Sequence, residues 1–183
     1  YRIVSHETNG LTKITSAEPL KNEGNFLTSA FESDVNYANT SIIGNFLNGD
    51  YLTTYVGNDY RNMIEENTTW YLGTVANGTD YRLAKYRNTS MSSYATSTSS
   101  RIGLLRLGEL MARQFATYDA TAPYWILTRY NNTYTWHVDS AGYSYSESPS
   151  TAFGIKPALN LKSNVVIVSG DGTKNSPFEI ELG

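Results

Sequence analysis

Residues 124–129, Tyr-Trp-Ile-Leu-Thr-Arg, together with 134–139, Tyr-Thr-Trp-His-Val-Asp, and 153–161, Phe-Gly-Ile-Lys-Pro-Ala-Leu-Asn-Leu, decide the fold class. The first two are short runs rich in β-branched and aromatic residues, the pattern of a strand, and the third, mostly apolar, is read as a strand beside them. Working outward, strands are expected at Tyr124–Arg129, Tyr134–Asp139, Gly142–Ser146, Phe153–Leu161, Val165–Val168 and Phe178–Leu182. Gly170-Asp171-Gly172-Thr173 reads as a tight turn whose glycines supply unusual backbone angles, with Pro177 at a strand start or edge.

Upstream the pattern alternates between strand and helix. Tyr1–Ser5 and Leu11–Ser16 form an expected hairpin across Asn9-Gly10, a turn pair that tolerates positive φ. From Asn39 the spacing becomes helical, with Thr40 or Ser41 as cap, Ile42, Ile43, Phe46 and Leu47 as an apolar stripe, and Gly49 as the stop. A second helix is expected from about Asn58 to Glu66, with Asp59 near its start and Met63 facing inward. Trp70–Val75 and Tyr81–Tyr86 read as a second hairpin over Asn77-Gly78, and the uncharged stretch Asn88–Ser100 reads as a long surface loop. Arg101–Leu105 is a short buried strand, and Leu107–Thr117 a helix with Leu110, Met111 and Phe115 inside. The expectation is one α+β domain over residues 1–183, with small twisted antiparallel sheets and two or three helices.

Apolar residues make up 40% of the chain and charged residues 17%, so a core can form while charge is scarce. Polarity comes instead from 19 Ser, 21 Thr and 17 Asn, a surface commoner outside cells than inside. Cysteine is absent, which excludes disulfides and thiolate metal sites and favours a bacterial surface protein of the Gram-positive kind or a cytosolic one, and the uncharged polar composition tips the reading toward the surface. A net charge of -3 with scattered basic residues argues against nucleic acid as a partner. No apolar run approaches the ~20 residues that span a bilayer. The chain opens directly in a strand-like segment, so membrane attachment is expected only through a removed amino-terminal segment, and the location is expected to be the extracellular cell surface.

Two histidines, His6 and His137, leave little room for a multi-histidine metal site or a Ser-His-Asp arrangement. His137 has Asp139 and Ser140 nearby, but all three lie on one strand and turn, where alternation separates their directions. No Gly-X-Ser-X-Gly elbow or phosphate-binding loop occurs. The close acid pairs, Glu65-Glu66 and Glu179/Glu181, read as a solvated helix end and a strand's outer face, and Asp171 as an Asx turn in place of a calcium ligand. No catalysis, no cofactor and no metal are therefore expected. The most unusual stretch is 118–145, holding Tyr118, Tyr124, Trp125, Tyr130, Tyr134, Trp136, Tyr143 and Tyr145 without a Phe. Rings with a polar handle are favoured at binding surfaces, and Trp136, Tyr143, Tyr145, Tyr134 and Arg129 are the expected ligand-binding face, with Trp125 in the core.

Ile102-Gly103-Leu104-Leu105 with Glu109, Tyr124–Arg129, Gly154-Ile155-Lys156-Pro157-Ala158-Leu159, and Gly170-Asp171-Gly172-Thr173 resemble the motifs of an uncharacterised domain family of Gram-positive bacterial surface proteins. Ser41-Ile42-Ile43-Gly44-Asn45-Phe46-Leu47-Asn48 is similar to that family's helix. Thr128 and Lys156 depart from the family's usual arginines. The resemblance implies a fold related to C-type lectin-like and formylglycine-generating-enzyme-like domains, and a place as a minor-pilin or adhesin headgroup. The expected function is a non-enzymatic recognition or assembly module for a glycan, peptide or pilus subunit. The alternative is a purely structural surface subunit, and a hydrolase comes third.

Overall fold

The computed structural model describes residues 1–75, 95–111 and 122–183. The expected strand Tyr81–Tyr86, its Asn77-Gly78 turn, Tyr118 and Phe115 lie outside the described residues. In chain order the elements are β1 (Arg2–His6), β2 (Thr12–Thr15), β3 (Lys21–Asn22), β4 (Asn25–Phe26), β5 (Thr28–Ser29), α1 (Ile42–Asn48), a π-helical turn (Tyr51–Tyr55) and α2 (Asn58–Met63). They continue with β6 (Thr68–Gly73), β7 (Ala95–Ser100), β8 (Ile102–Leu104), α3 (Leu107–Met111), β9 (Tyr124–Arg129) and β10 (Thr135–Val138). The chain closes with β11 (Ser144–Glu147), β12 (Phe153–Gly154), β13 (Pro157–Leu161), β14 (Val165–Ser169) and β15 (Glu179–Leu182). The fold is mixed α+β, built mainly from small antiparallel sheets with few helices.

Two sheets carry the core. One orders its strands β1-β2-β13-β8 and the other β11-β10-β9-β12-β5, while β14-β15, β3-β4 and β6-β7 form two-stranded ribbons. The first hairpin forms as its sequence dictates: β1 pairs antiparallel with β2, and Gly10 turns at φ +84. Trp125, Leu127, Phe31, Ile43, Leu47, Leu104 and Leu159 fill the main core, and Ile126, Trp136, Val138 and Leu107 a second one behind the five-stranded sheet. β9 is thus covered on both faces, which is why residues 124–129 run apolar without alternating.

Helix α1 starts where Ser41 accepts a hydrogen bond from the Gly44 N–H at 3.2 Å. Its inward stripe differs from expectation, because Ile43, Gly44 and Leu47 are buried while Ile42 is half exposed. Asn48 ties the helix to β8: its Oδ1 accepts from the Ile102 N–H at 2.9 Å and its Nδ2 donates to the Ile102 carbonyl at 3.2 Å. Helix α2 ends at Met63, earlier than Glu66, since Ile64 becomes extended and bridges to Leu161 while the Glu65 N–H donates to Asn160.

Two expected boundaries are corrected. Within the stretch 88–100, Ala95–Ser100 is a strand and no loop, pairing residue for residue with β6 from Thr68↔Ser100 to Gly73↔Ala95. The Trp70 indole N–H closes that ribbon onto the Ser100 carbonyl. The run Phe153–Leu161 is two strands in different sheets, because Pro157 supplies no N–H to continue the β12 pairing and its carbonyl instead accepts from Ser16 N–H and the Thr15 hydroxyl in the other sheet.

Candidate functional site

The aromatic edge of the five-stranded sheet grows from the register of β9, β10 and β11. His137 faces Trp125 on one side and Tyr145 on the other. The His137 ring stacks on Phe153 at 4.2 Å between centroids, Phe153 meets Trp125 edge-on at 4.8 Å, and Trp125 meets Phe31 at 5.7 Å. Tyr145 sits 6.3 Å from His137 at the solvent end of this row. The row therefore runs from the core outward, with Phe153 half-buried within it and Tyr145, its last member, the most exposed. Tyr145 is 53% exposed and Tyr143 is 65% exposed. The turn holding Tyr143 is fixed by Asp139, whose Oδ1 accepts from the Ala141 and Tyr143 N–H groups at 2.9 and 2.8 Å, with Gly142 at φ +88.

The five residues expected to share a ligand face do not come together. Trp136 is a core residue: only 8% of it is exposed, its indole N–H donates to the Val75 carbonyl at 2.7 Å, and Tyr130 packs edge-on against it. A buried Trp whose N–H has a partner satisfies its polar handle inside, which corrects its placement on the surface. Tyr134 is exposed but belongs to the β9–β10 turn, at the opposite end of β10 from Tyr143, where Asn131 Oδ1 accepts from the Tyr134 N–H. Arg129 is half-buried beside that turn and donates through Nη1 to Asn36 at 2.9 Å. Tyr143 and Tyr145 remain as one exposed pair.

The acid–base chemistry available is small. Burial among the rings holds His137 below the ordinary imidazole pKa, with Glu147 and Asp139 opposing, and among the described residues its Nδ1 has no hydrogen-bond partner. Asp171 is held below the usual carboxylate range by the Thr173 N–H it accepts at 2.9 Å, the Asx turn read from the sequence. Glu179 accepts from the Ser169 hydroxyl across the β14–β15 ribbon. No group of three or more metal-ligating side chains occurs among the described residues.

Two features escape sequence reading. Lys13, Glu109, Glu7 and Arg106 form a mostly buried charge cluster, with Lys13 Nζ 2.7 Å from Glu109, 3.6 Å from Glu7 and over the Trp70 ring. An open, largely apolar groove of about 1410 Å³ is lined by Ile3, Ile14, Leu161, Ile167, Phe178 and Ile180 among others. Both assemble from segments far apart in the chain, so no local pattern announces them. Lys156 lies buried with its ammonium 4.9 Å from the Tyr124 ring, and Thr128 accepts the Leu107 N–H at the start of α3.

No family model, no curated protein and no solved structure matches this chain.

Proposed function

We propose that the chain is a non-enzymatic recognition module of a bacterial cell surface, an adhesin or minor-pilin headgroup with a C-type lectin-like fold, that meets a glycan through Tyr143 and Tyr145. The observation that carries this reading is the exposed tyrosine pair, Tyr145 at the solvent end of an aromatic row that starts in the core and Tyr143 in the turn beside it. Two rings two residues apart, Tyr143 in the turn and Tyr145 on the edge strand β11, offer flat apolar faces to sugar C–H groups, while their hydroxyls offer uncharged hydrogen bonds. The scarcity of charge and absence of cysteine support a surface location, and the motifs of residues 101–182 support the family.

A glycan array probed with the 183-residue chain and with the Tyr143→Ala/Tyr145→Ala variant tests the proposal. Saccharides retained by the native chain should be lost by about tenfold or more in the variant, the scale of about 1.4 kcal/mol of contact, at unchanged melting temperature. Binding to no saccharide, or equal binding by the variant, would overturn it. A variant that still bound would leave a site elsewhere as the answer.

A further inference from the structure

The β14–β15 ribbon has an edge of unusual composition. Val165–Ser169 carries no charge, and Val166, Ile167 and Val168 are 43%, 55% and 50% exposed. Natural edge strands ordinarily carry a Lys, a Pro, a bulge or another device against pairing, and this one has no Lys or Pro within it, only the register irregularity after Ile167. The Gly183 N–H donates to the Asn164 carbonyl, so Asn164 and, by antiparallel alternation, Val166 direct their backbone groups toward β15. The same alternation turns the N–H and C=O of Ile167 outward, and among the described residues no backbone partner for them is recorded.

We propose that β14 is a self-association edge, and that a second copy of this chain pairs with it antiparallel about Ile167, joining two ribbons into one four-stranded sheet. A two-fold axis normal to the sheet keeps each face on its own side, so Ile167 opposes the second copy's Ile167 and Val166 lies beside the second copy's Val168. The flanks are complementary in charge. Lys162 precedes the strand and Asp171 follows it, so the antiparallel arrangement brings each copy's Lys162 end toward the second copy's Asp171 end. The other edge of the ribbon is excluded by the same test, because symmetric pairing of β15 about Ile180 sets Glu179 against the second copy's Glu181. The register irregularity after Ile167 keeps the pairing short, and the exposed β-branched side chains beside it supply the apolar burial.

The chain contains no cysteine, so a single introduced thiol reports on one position. Facing residues of a hydrogen-bonded antiparallel pair have Cα atoms ~5.5 Å apart, within the span a disulfide bridges. Ile167→Cys, treated with a mild oxidant, should cross-link into a dimer at least tenfold faster than Tyr143→Cys, which is exposed in the β10–β11 turn of the other sheet. Sedimentation of the native chain over rising concentration should show a monomer–dimer equilibrium, and Ile167→Pro, which deletes the outward N–H, should shift it toward monomer with melting and circular dichroism unchanged. A native chain monomeric throughout, equal cross-linking of the two thiols, or a dimer undiminished by Ile167→Pro would each overturn the proposal. Because glycan binding is read at Tyr143 and Tyr145 and dimerisation at Ile167, either proposal can fail while the other stands.

Discussion

Lys13 Nζ lies 2.7 Å from Glu109 Oε1, joining β2 to α3 across 96 residues of sequence, with the two side chains 9% and 11% exposed. Removing one partner of a buried pair leaves a desolvated charge, whereas replacing both with apolar groups does not. Glu109→Ala should therefore cost about 3 kcal/mol in denaturant unfolding, toward the low end for a buried pair because Glu7 remains 3.6 Å from the ammonium. The double variant Lys13→Met/Glu109→Leu should recover most of that loss. Equal losses in the single and double variants would show that the pair contributes packing and no electrostatics.

Trp136 and Tyr143 stand seven residues from each other in a stretch that reads uniformly as aromatic, yet one is core and the other surface. Trp136→Ala should lose about 3–5 kcal/mol by cavity formation, with the Val75 carbonyl losing its donor as well. Tyr143→Ala should stay within about 0.5 kcal/mol of the native chain. Chemical denaturation of the two variants side by side checks the assignment, and a stable Trp136→Ala protein would return that ring to the candidate surface.

The contrast shows where sequence reading reaches and where it stops. Tyr124–Arg129 forms a strand with the expected bounds, Ser41 caps α1, and Gly10, Gly170 and Gly172 take the positive φ their turns require, because each is decided by neighbours within a few residues. Trp136 and Tyr143 obey the same local rules as each other, and only the placement of Val75 and Tyr130 over one of them separates core from surface. The switch of chain between sheets at Ile155–Pro157 is likewise set by what lies alongside: Ser16 and Leu20 take its backbone bonds. Ala95–Ser100 looks like loop because Ser and Thr dominate it, and it is a strand because β6 offers a matching partner.

His137 supplies a pH signature of the aromatic row. Its pKa is lowered in the folded chain, first by desolvation, from an unfolded value of 6.5. The unfolded chain then binds more protons as pH falls below that value, so native stability is undiminished above it and declines through the window beneath it. His137→Phe keeps a ring against Phe153, whose centroid lies 4.2 Å away, and removes the titration. Melting temperatures from about pH 7.5 to pH 5 should fall more steeply for the native chain than for the variant. Parallel curves would mean that the imidazole gains no less water in the folded state than in the unfolded one.

Gly103 tests how tightly the β6–β7 ribbon is seated on the four-stranded sheet. A Cβ there would stand 2.5 to 2.7 Å from three atoms of the Trp70 indole, and that ring cannot yield freely because its N–H is bonded to Ser100 and Lys13 lies over its face. β8 cannot retreat either, since Ala158 pairs with Gly103 on one side and Asn48 holds the Ile102 backbone on the other. Gly103→Ala should thus destabilise the fold by about 1–3 kcal/mol, the range for overpacking, although alanine suits a strand better than glycine does. The double variant Gly103→Ala/Trp70→Phe removes the clashing ring edge along with the indole bond. It should cost less than the two single losses combined, and strict additivity in denaturant unfolding would show that Gly103 and Trp70 do not constrain each other.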